Sequence, residues 1–169
     1  TAAAAALGPV VATYTAVLFA DTAVPAWHDG HRELPFVFAA SAAGAAAGLS
    51  LLGAPPAEAA PARRLAVLAT TGELVAVELL KRRLDEVAET YDKGRSGRLM
   101  RAAQALSAAA AAGVLAGAGR RRAGAAICGA ALLAASASTR FGVFAAGMAS
   151  AEDPRYTVGP QRRRLRERE

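Results

Sequence analysis

Polar and apolar positions are segregated along this chain rather than interleaved. Five long stretches are nearly free of charge, and the charged residues gather in short clusters between them. The first stretch covers about 2–21 and carries Gly8-Pro9, Thr13, Tyr14 and Thr15. The second covers 34–53. The third is apolar over 65–80, and its helical pattern continues through Lys81-Arg82-Arg83, which sets a helix at 65–83. The fourth covers 102–119 and the fifth 123–147. A bilayer core of roughly 30 Å needs about 20 helical residues. The second and fourth stretches are apolar on every side, which a helix on the surface of a soluble domain is not. The pattern therefore predicts an all-α integral membrane helical bundle of about five transmembrane helices within residues 1–149. Residues 150–169 form a basic tail.

Punctuation supports the same division. Pro25 and the polar group at 27–33 separate the first two helices. Pro55, Pro56 and Pro61 end the second, because proline lacks an N–H and disfavours helix just before it. Gly94 and Gly97 interrupt the extension of the third helix, and Gly119-Arg120-Arg121-Arg122 is a tight turn between the last two. Gly44 and Gly48 are four apart, as are Gly113 and Gly117, a spacing that lets helix backbones approach closely in lipid. Lysine and arginine counts then orient the bundle. One face receives fourteen: Arg32, the seven of 81–101 and the six of the tail. The other receives Arg63, Arg64 and Arg120 to Arg122. By the positive-inside tendency the tail is cytoplasmic, in a multi-pass protein of a bacterial inner (cell) membrane.

Composition narrows the chemistry. With 54% hydrophobic residues the chain is not disordered, and with one cysteine among 169 residues it has neither a disulfide framework nor a Cys-based zinc or iron–sulfur site. The net charge of +6 raises nucleic acid as a partner. However, the arginines flank apolar segments and no aromatic residues interleave with them, so no nucleic acid is expected. No initiator Met and no basic leader region open the chain, which reads as the C-terminal part of a longer protein.

Few residues are candidates for chemistry. Glu73 lies about 13 Å along its helix from Arg64, near mid-membrane, with no cation three or four positions away. A carboxyl there is costly. It marks a proton path or the polar wall of a ligand pocket, or else a protonated Glu bonded to a neighbouring helix. Glu78 is different, because Lys81 and Arg82 follow at three and four positions and suit a surface ion pair. Arg140, about 27 Å along its helix from Arg122, is placed by the same count level with Glu78 rather than Glu73, as an interfacial arginine and, with Arg82, a candidate ion-pair partner of Glu78. Tyr14, between Thr13 and Thr15, gives an apolar helix a polar band and a phenol able to bond a quinone carbonyl or a neighbouring helix. Asp21, at that helix's end, is a proton carrier or an interfacial carboxylate. His28 and His31, near Asp29 and Glu33, sit in a short interfacial loop where histidines are solvated, so no metal site is assigned. No histidine occurs inside an apolar stretch, which excludes a bis-histidine haem within the bundle. Cys128 is a small core residue. No nucleotide-binding or hydrolase motif is present.

Two stretches have distinctive wording. They are Thr13-Tyr14-Thr15-Ala16-Val17-Leu18 with Asp21-Thr22-Ala23-Val24-Pro25-Ala26-Trp27-His28 and Arg32-Glu33-Leu34-Pro35-Phe36, and then Arg140-Phe141-Gly142-Val143-Phe144, Gly147, Ser150-Ala151-Glu152-Asp153-Pro154, Tyr156-Thr157-Val158 and Pro160-Gln161-Arg162. Together they resemble the NrfD family of membrane subunits, which includes the polysulfide reductase anchor. The resemblance implies the last five helices of an eight-helix fold. It also implies a non-catalytic or quinol-reacting subunit of an oxidoreductase complex, exchanging electrons between exchangeable menaquinone or ubiquinone and an iron–sulfur partner. The partners it implies are that iron–sulfur electron-transfer subunit, a molybdopterin catalytic subunit and the lipid bilayer. No haem and no iron–sulfur cluster are expected in this chain. Tyr14 and Asp21 are the quinone-site positions it carries over. Glu73 comes from burial cost alone. The competing reading is a proton-coupled transporter, or a structural bundle, with no redox role.

Overall fold

The computed structural model describes residues 2–156 and 158, and most of the expected basic tail lies outside the described residues. Those that are described form helices and connections only. Their order is α1 (Ala2–Ala20), α2 (Pro25–His28), α3 (Leu34–Gly53), α4 (Ala60–Leu84), α5 (Glu89–Asp92), α6 (Gly94–Leu115) and α7 (Arg122–Glu152), with short 3₁₀ turns at Asp85–Ala88 and Ala118–Arg120. Five long helices were expected and five occur. Two of them, α3 and α7, are long and apolar enough to cross a membrane, while the apolar part of α1 (Val10–Ala20) is shorter.

Three boundaries differ from the expectation, each for a local reason. Helix α4 starts at Ala60 rather than 65, with Pro61 in its first turn. An N–H is not needed there, so Pro61 opens this helix and does not end the one before, which stops at Gly53 ahead of Pro55 and Pro56. Helix α6 starts at Gly94 rather than 102. Arg95, Arg98 and Arg101 occupy its outer side while Ser96, Gly97 and Met100 are buried, so the apolar window alone undercounts it. Helix α7 runs on to Glu152. At 31 residues it is about 46 Å long by the usual rise, against about 30 Å for the 20-residue α3. The break after α4 also comes earlier than the glycines suggested, at Asp85, whose φ of 48° ends the helix.

Helices α3, α4, α6 and α7 form the body, and α1 lies at its edge against α3. The inward faces repeat at three and four residues, as in α7 with Ala125, Cys128, Gly129, Leu132, Ala135, Ser136 and Thr139. Small residues dominate these faces. The large apolar side chains Leu68, Val75, Leu79, Leu115, Ile127, Phe141 and Phe144 point outward and are exposed. In water that arrangement would be inverted. In lipid, close backbone approach is what holds helices together. The tightest crossing joins α3 and α7, where a Cβ on Gly48 would meet the Gly129 carbonyl oxygen at 2.7 Å, and a Cβ on Gly129 would meet that of Gly48 at 2.5 Å. The other expected small pair is divided: Gly113 packs against α7, where a Cβ would come within 3.1 Å of Cys128 Sγ, while Gly117 takes a left-handed φ of 89° in the turn before α7.

Two apolar clusters fill the body. One holds Leu34, Val37, Phe38, Val77, Leu80, Tyr91, Met100 and Val143. The other holds Ala47, Leu51, Ala62, Ala66, Ala110, Val114, Cys128 and Leu132. Between them every body helix contributes polar side chains.

Candidate functional site

That intervening layer consists of Ser41 from α3, Thr70 and Glu73 from α4, Ser107 from α6, and Ser136 and Thr139 from α7, all buried. In each helix these residues continue the inward stripe, with Phe38, Ser41 and Ala47 on α3, and Leu132, Ser136, Thr139 and Val143 on α7. Glu73 is 7% exposed. The Thr139 hydroxyl donates to Glu73 Oε1 at 2.6 Å, and the Ser41 and Ser107 hydroxyls also face the carboxyl. Ser41 donates to Ser136 Oγ at 2.9 Å. The Thr70 hydroxyl reaches the Ser107 carbonyl at 3.5 Å, at the limit of a hydrogen bond.

The chemistry of this layer follows from the hydroxyl inventory. Thr139 Oγ1 has one hydrogen and two acceptors within reach, Glu73 Oε1 and the Ala135 carbonyl at 3.2 Å. With Glu73 ionised, Thr139 donates to the carboxylate. With Glu73 protonated, the carboxyl donates to Thr139 Oγ1, and the Thr139 hydrogen turns to Ala135. Both protonation states are thus hydrogen-bonded without any backbone movement. A buried carboxyl that can gain or lose a proton in place is the minimum a proton site requires.

Arg140 requires a correction. It does not pair with Glu78, which instead accepts from Arg82 at 2.8 Å in an exposed i,i+4 pair. The Arg140 guanidinium lies over the Phe38 ring, 5.7 Å from its centroid, and its charge is felt at Glu73. No ion pair between Arg140 and Glu73 forms among the described residues. The depth count failed because it set Arg64 and Arg122 level. The Thr139–Glu73 bond puts a point 17 residues into α7 beside a point 13 residues into α4, so α7 begins about one turn further out.

The other candidates lie away from this layer. Tyr14 is 61% exposed on the outer side of α1, and Asp21 is exposed just beyond that helix. Neither is near Glu73 along the fold, since α1 meets the body through α3 and α2. His28 and His31 are exposed, each with Nδ1 against a backbone carbonyl, and no metal-holding group of His, Cys, Asp or Glu occurs among the described residues. Cys128 is buried in an apolar cluster.

The end of the bundle at 21–33 carries most of the polar connections. Trp27 Nε1 donates to the Val143 carbonyl at 2.9 Å, the Ala26 N–H to Ser150 Oγ at 3.2 Å, and Tyr91 Oη to the Ala26 carbonyl at 3.0 Å. Ser96 donates to the Gly142 carbonyl at 2.8 Å, and Arg83 donates to both oxygens of Glu33. Burial pushes the Tyr91 phenol above its ordinary pKa, which keeps it a donor. The Trp27 ring lies against Gly147, where a Cβ would come within 1.9 Å of it. Beside this junction, between α5, the start of α6 and the last turns of α7, is a cavity of about 860 Å³.

Sequence reasoning found Glu73 but not the hydroxyls around it or the cavity. Their signal was present, since each serine and threonine lies on its helix's small-residue stripe, but a single helix does not reveal which stripes meet. No family model, curated protein or solved structure matches the chain.

Proposed function

We propose that this chain is the membrane-embedded, quinone-interacting anchor of an oxidoreductase complex of the NrfD type. In this reading α1, α3, α4, α6 and α7 all cross a bacterial inner membrane, with the end carrying Arg32, Lys81 and Lys93 on the cytoplasmic side. A molybdopterin catalytic subunit and an iron–sulfur subunit are its partners, and menaquinone or ubiquinone is its exchangeable substrate. The observation that carries the reading is the mutual docking of the two NrfD-like stretches, 116 residues apart in the Trp27–Val143 bond, with Gly147 small enough to admit the indole. The outward-facing large apolar residues support the bilayer as their surroundings.

Mechanistically, Tyr14 orients the quinone ring and Asp21 relays its proton at the bilayer boundary. Its outward face suits a pocket closed by the further helices that the family's fold places beside α1. Glu73 holds a proton in the centre of the body, exchanging it through Thr139. The test uses the complete complex purified from its own membranes. Iron with an associated iron–sulfur subunit, and molybdenum, are expected. Tyr14→Phe or Asp21→Asn should lower quinol turnover by about 10²-fold or more with assembly unchanged. A metal-free preparation without a large partner would overturn the reading, and unchanged turnover in both variants would overturn the site.

The second reading, a proton-coupled transporter, is favoured by one observation. The buried carboxyl sits where all four body helices meet, whereas Tyr14 is peripheral. Under it, Glu73→Gln abolishes proton-coupled uptake by the protein in the absence of any iron–sulfur partner.

A further inference from the structure

Arg140 follows Thr139, whose hydroxyl donates to Glu73, so it enters at the depth of the polar layer in the middle of the body. In the membrane reading that is a charge far from either surface. Such a charge is costly unless it has a partner or faces water. The guanidinium rests on the Phe38 ring and makes no ion pair or hydrogen bond among the described residues. A ring face accepts none of its five N–H donors in the way an oxygen would.

The cavity of about 860 Å³ begins at this guanidinium. It follows α7 past Ala145 and Ala149 to Glu152, twelve residues or about 18 Å nearer the end carrying Trp27. Its mouth is charged on both sides. Lys93 bridges Glu89 there, Tyr156 Oη donates to Glu89 at 3.4 Å, and Arg155 donates to Asp153 at 2.8 Å. A space of this size with charged groups at its floor and its mouth suits water better than an acyl chain. On the other side of Glu73 the interior is built differently. There Ala47, Leu51, Ala66, Val114, Cys128 and Leu132 form a close apolar cluster, and Gly48 and Gly129 bring the backbones of α3 and α7 together.

We infer that this cavity is a water-filled vestibule through which Glu73 exchanges protons with the cytoplasmic side only. Arg140 holds the innermost waters by its N–H donors, and Thr139 is the last hydroxyl between them and the carboxyl. Ser41 and Ser107 complete the hydroxyls facing Glu73 from the other helices, and the apolar cluster beyond them closes the opposite route. The vestibule rests on the membrane reading proposed above and on neither the quinone chemistry nor transport.

The Thr139–Glu73 bond provides a depth-matched test. Ala145 lies six residues beyond Thr139 and lines the cavity, while Leu79 lies six residues beyond Glu73 and is exposed on the outer side of α4. Cysteine is placed at each position in the complete protein. Membrane vesicles of either orientation are treated with a charged, membrane-impermeant methanethiosulfonate, and labelling is read by peptide mass. Only thiolate reacts, and an apolar setting that raises the thiol pKa by one unit leaves about tenfold less of it. Ala145→Cys should therefore react about tenfold or more faster than Leu79→Cys, and only with the cytoplasmic face outward. Cys128, in the apolar cluster, should stay unlabelled from both sides.

The link to Glu73 is read by infrared spectroscopy at a pH low enough to show the carboxyl band that Glu73→Gln removes. That band should exchange in deuterated water, and several-fold more slowly once Ala145→Cys carries a bulky label. Glu73→Asp, which shifts the band, assigns it if the glutamine variant does not assemble. Equal reaction at 145 and 79 would overturn the vestibule, and reaction from the opposite face would overturn its sidedness. An exchange rate indifferent to the label would overturn the connection to Glu73. Release of the protein from membranes by alkaline carbonate would overturn the membrane reading itself, an outcome distinct from insertion without labelling.

Discussion

The two ends of the bundle are built by different means. At the end formed by 21–33, 85–93 and the last turns of α7, side chains that are far apart in sequence bond to backbone. Trp27 reaches Val143, Tyr91 reaches Ala26, Ser96 reaches Gly142 and Ser150 receives Ala26. At the opposite end the connections between elements are two arginines on carbonyls, Arg63 on Pro56 and Gly119 and Arg122 on Ala54, around a core of alanine, cysteine and leucine. The first end is specified residue by residue, because a buried carbonyl or indole N–H that loses its partner has no water to replace it. The second is specified by size, since small residues only have to let helices approach. Distinctive wording in the sequence coincides with the first kind of construction, and alanine-rich wording with the second.

That contrast can be broken most severely at Gly147. A valine there would drive its Cβ into the Trp27 ring and displace the indole from Val143. The change should cost about 3 kcal/mol or more. Denaturant unfolding in detergent, followed by the Trp27 signal, measures it, and a stable variant would mean that the indole does not lock this end. Tyr91→Phe is milder. It removes only the hydroxyl from a fully buried ring and leaves the Ala26 carbonyl short of a donor, for a loss of about 1–3 kcal/mol. A result near zero would show that another donor takes its place. The smallest effect belongs to the opposite end. Arg122→Ala removes an exposed contact to Ala54 and should change stability by less than about 0.5 kcal/mol in the same assay. A loss as large as that of Tyr91→Phe would erase the difference between the ends.

The polar layer lies between these two regimes and explains why Glu73 was legible while its site was not. A carboxyl in an apolar run is conspicuous against the cost of burying it. Thr139, Ser41 and Ser107 are not conspicuous, because serine and threonine are common in membrane helices and bond their own preceding turn, as Ser50 and Ser138 do here to Ala46 and Ala134. Arg140 was misplaced for a related reason. Depth counted along one helix carries to another only if both start at the same level, and α7 starts a turn further out than α4.

Local physics in the sequence determined the all-helical content, the five long helices and the partition of basic residues between two ends. These follow from proline and glycine punctuation, apolar runs and charge clusters, all of which act over a few neighbouring residues. Tertiary structure alone decided which stripe of each helix turned inward, which hydroxyls reached Glu73, and that Trp27 would rest on Gly147. In a chain so rich in alanine every face of a helix is nearly equally apolar. The inward face is then chosen by which surfaces let two backbones come closest, a property of pairs of helices and not of either one.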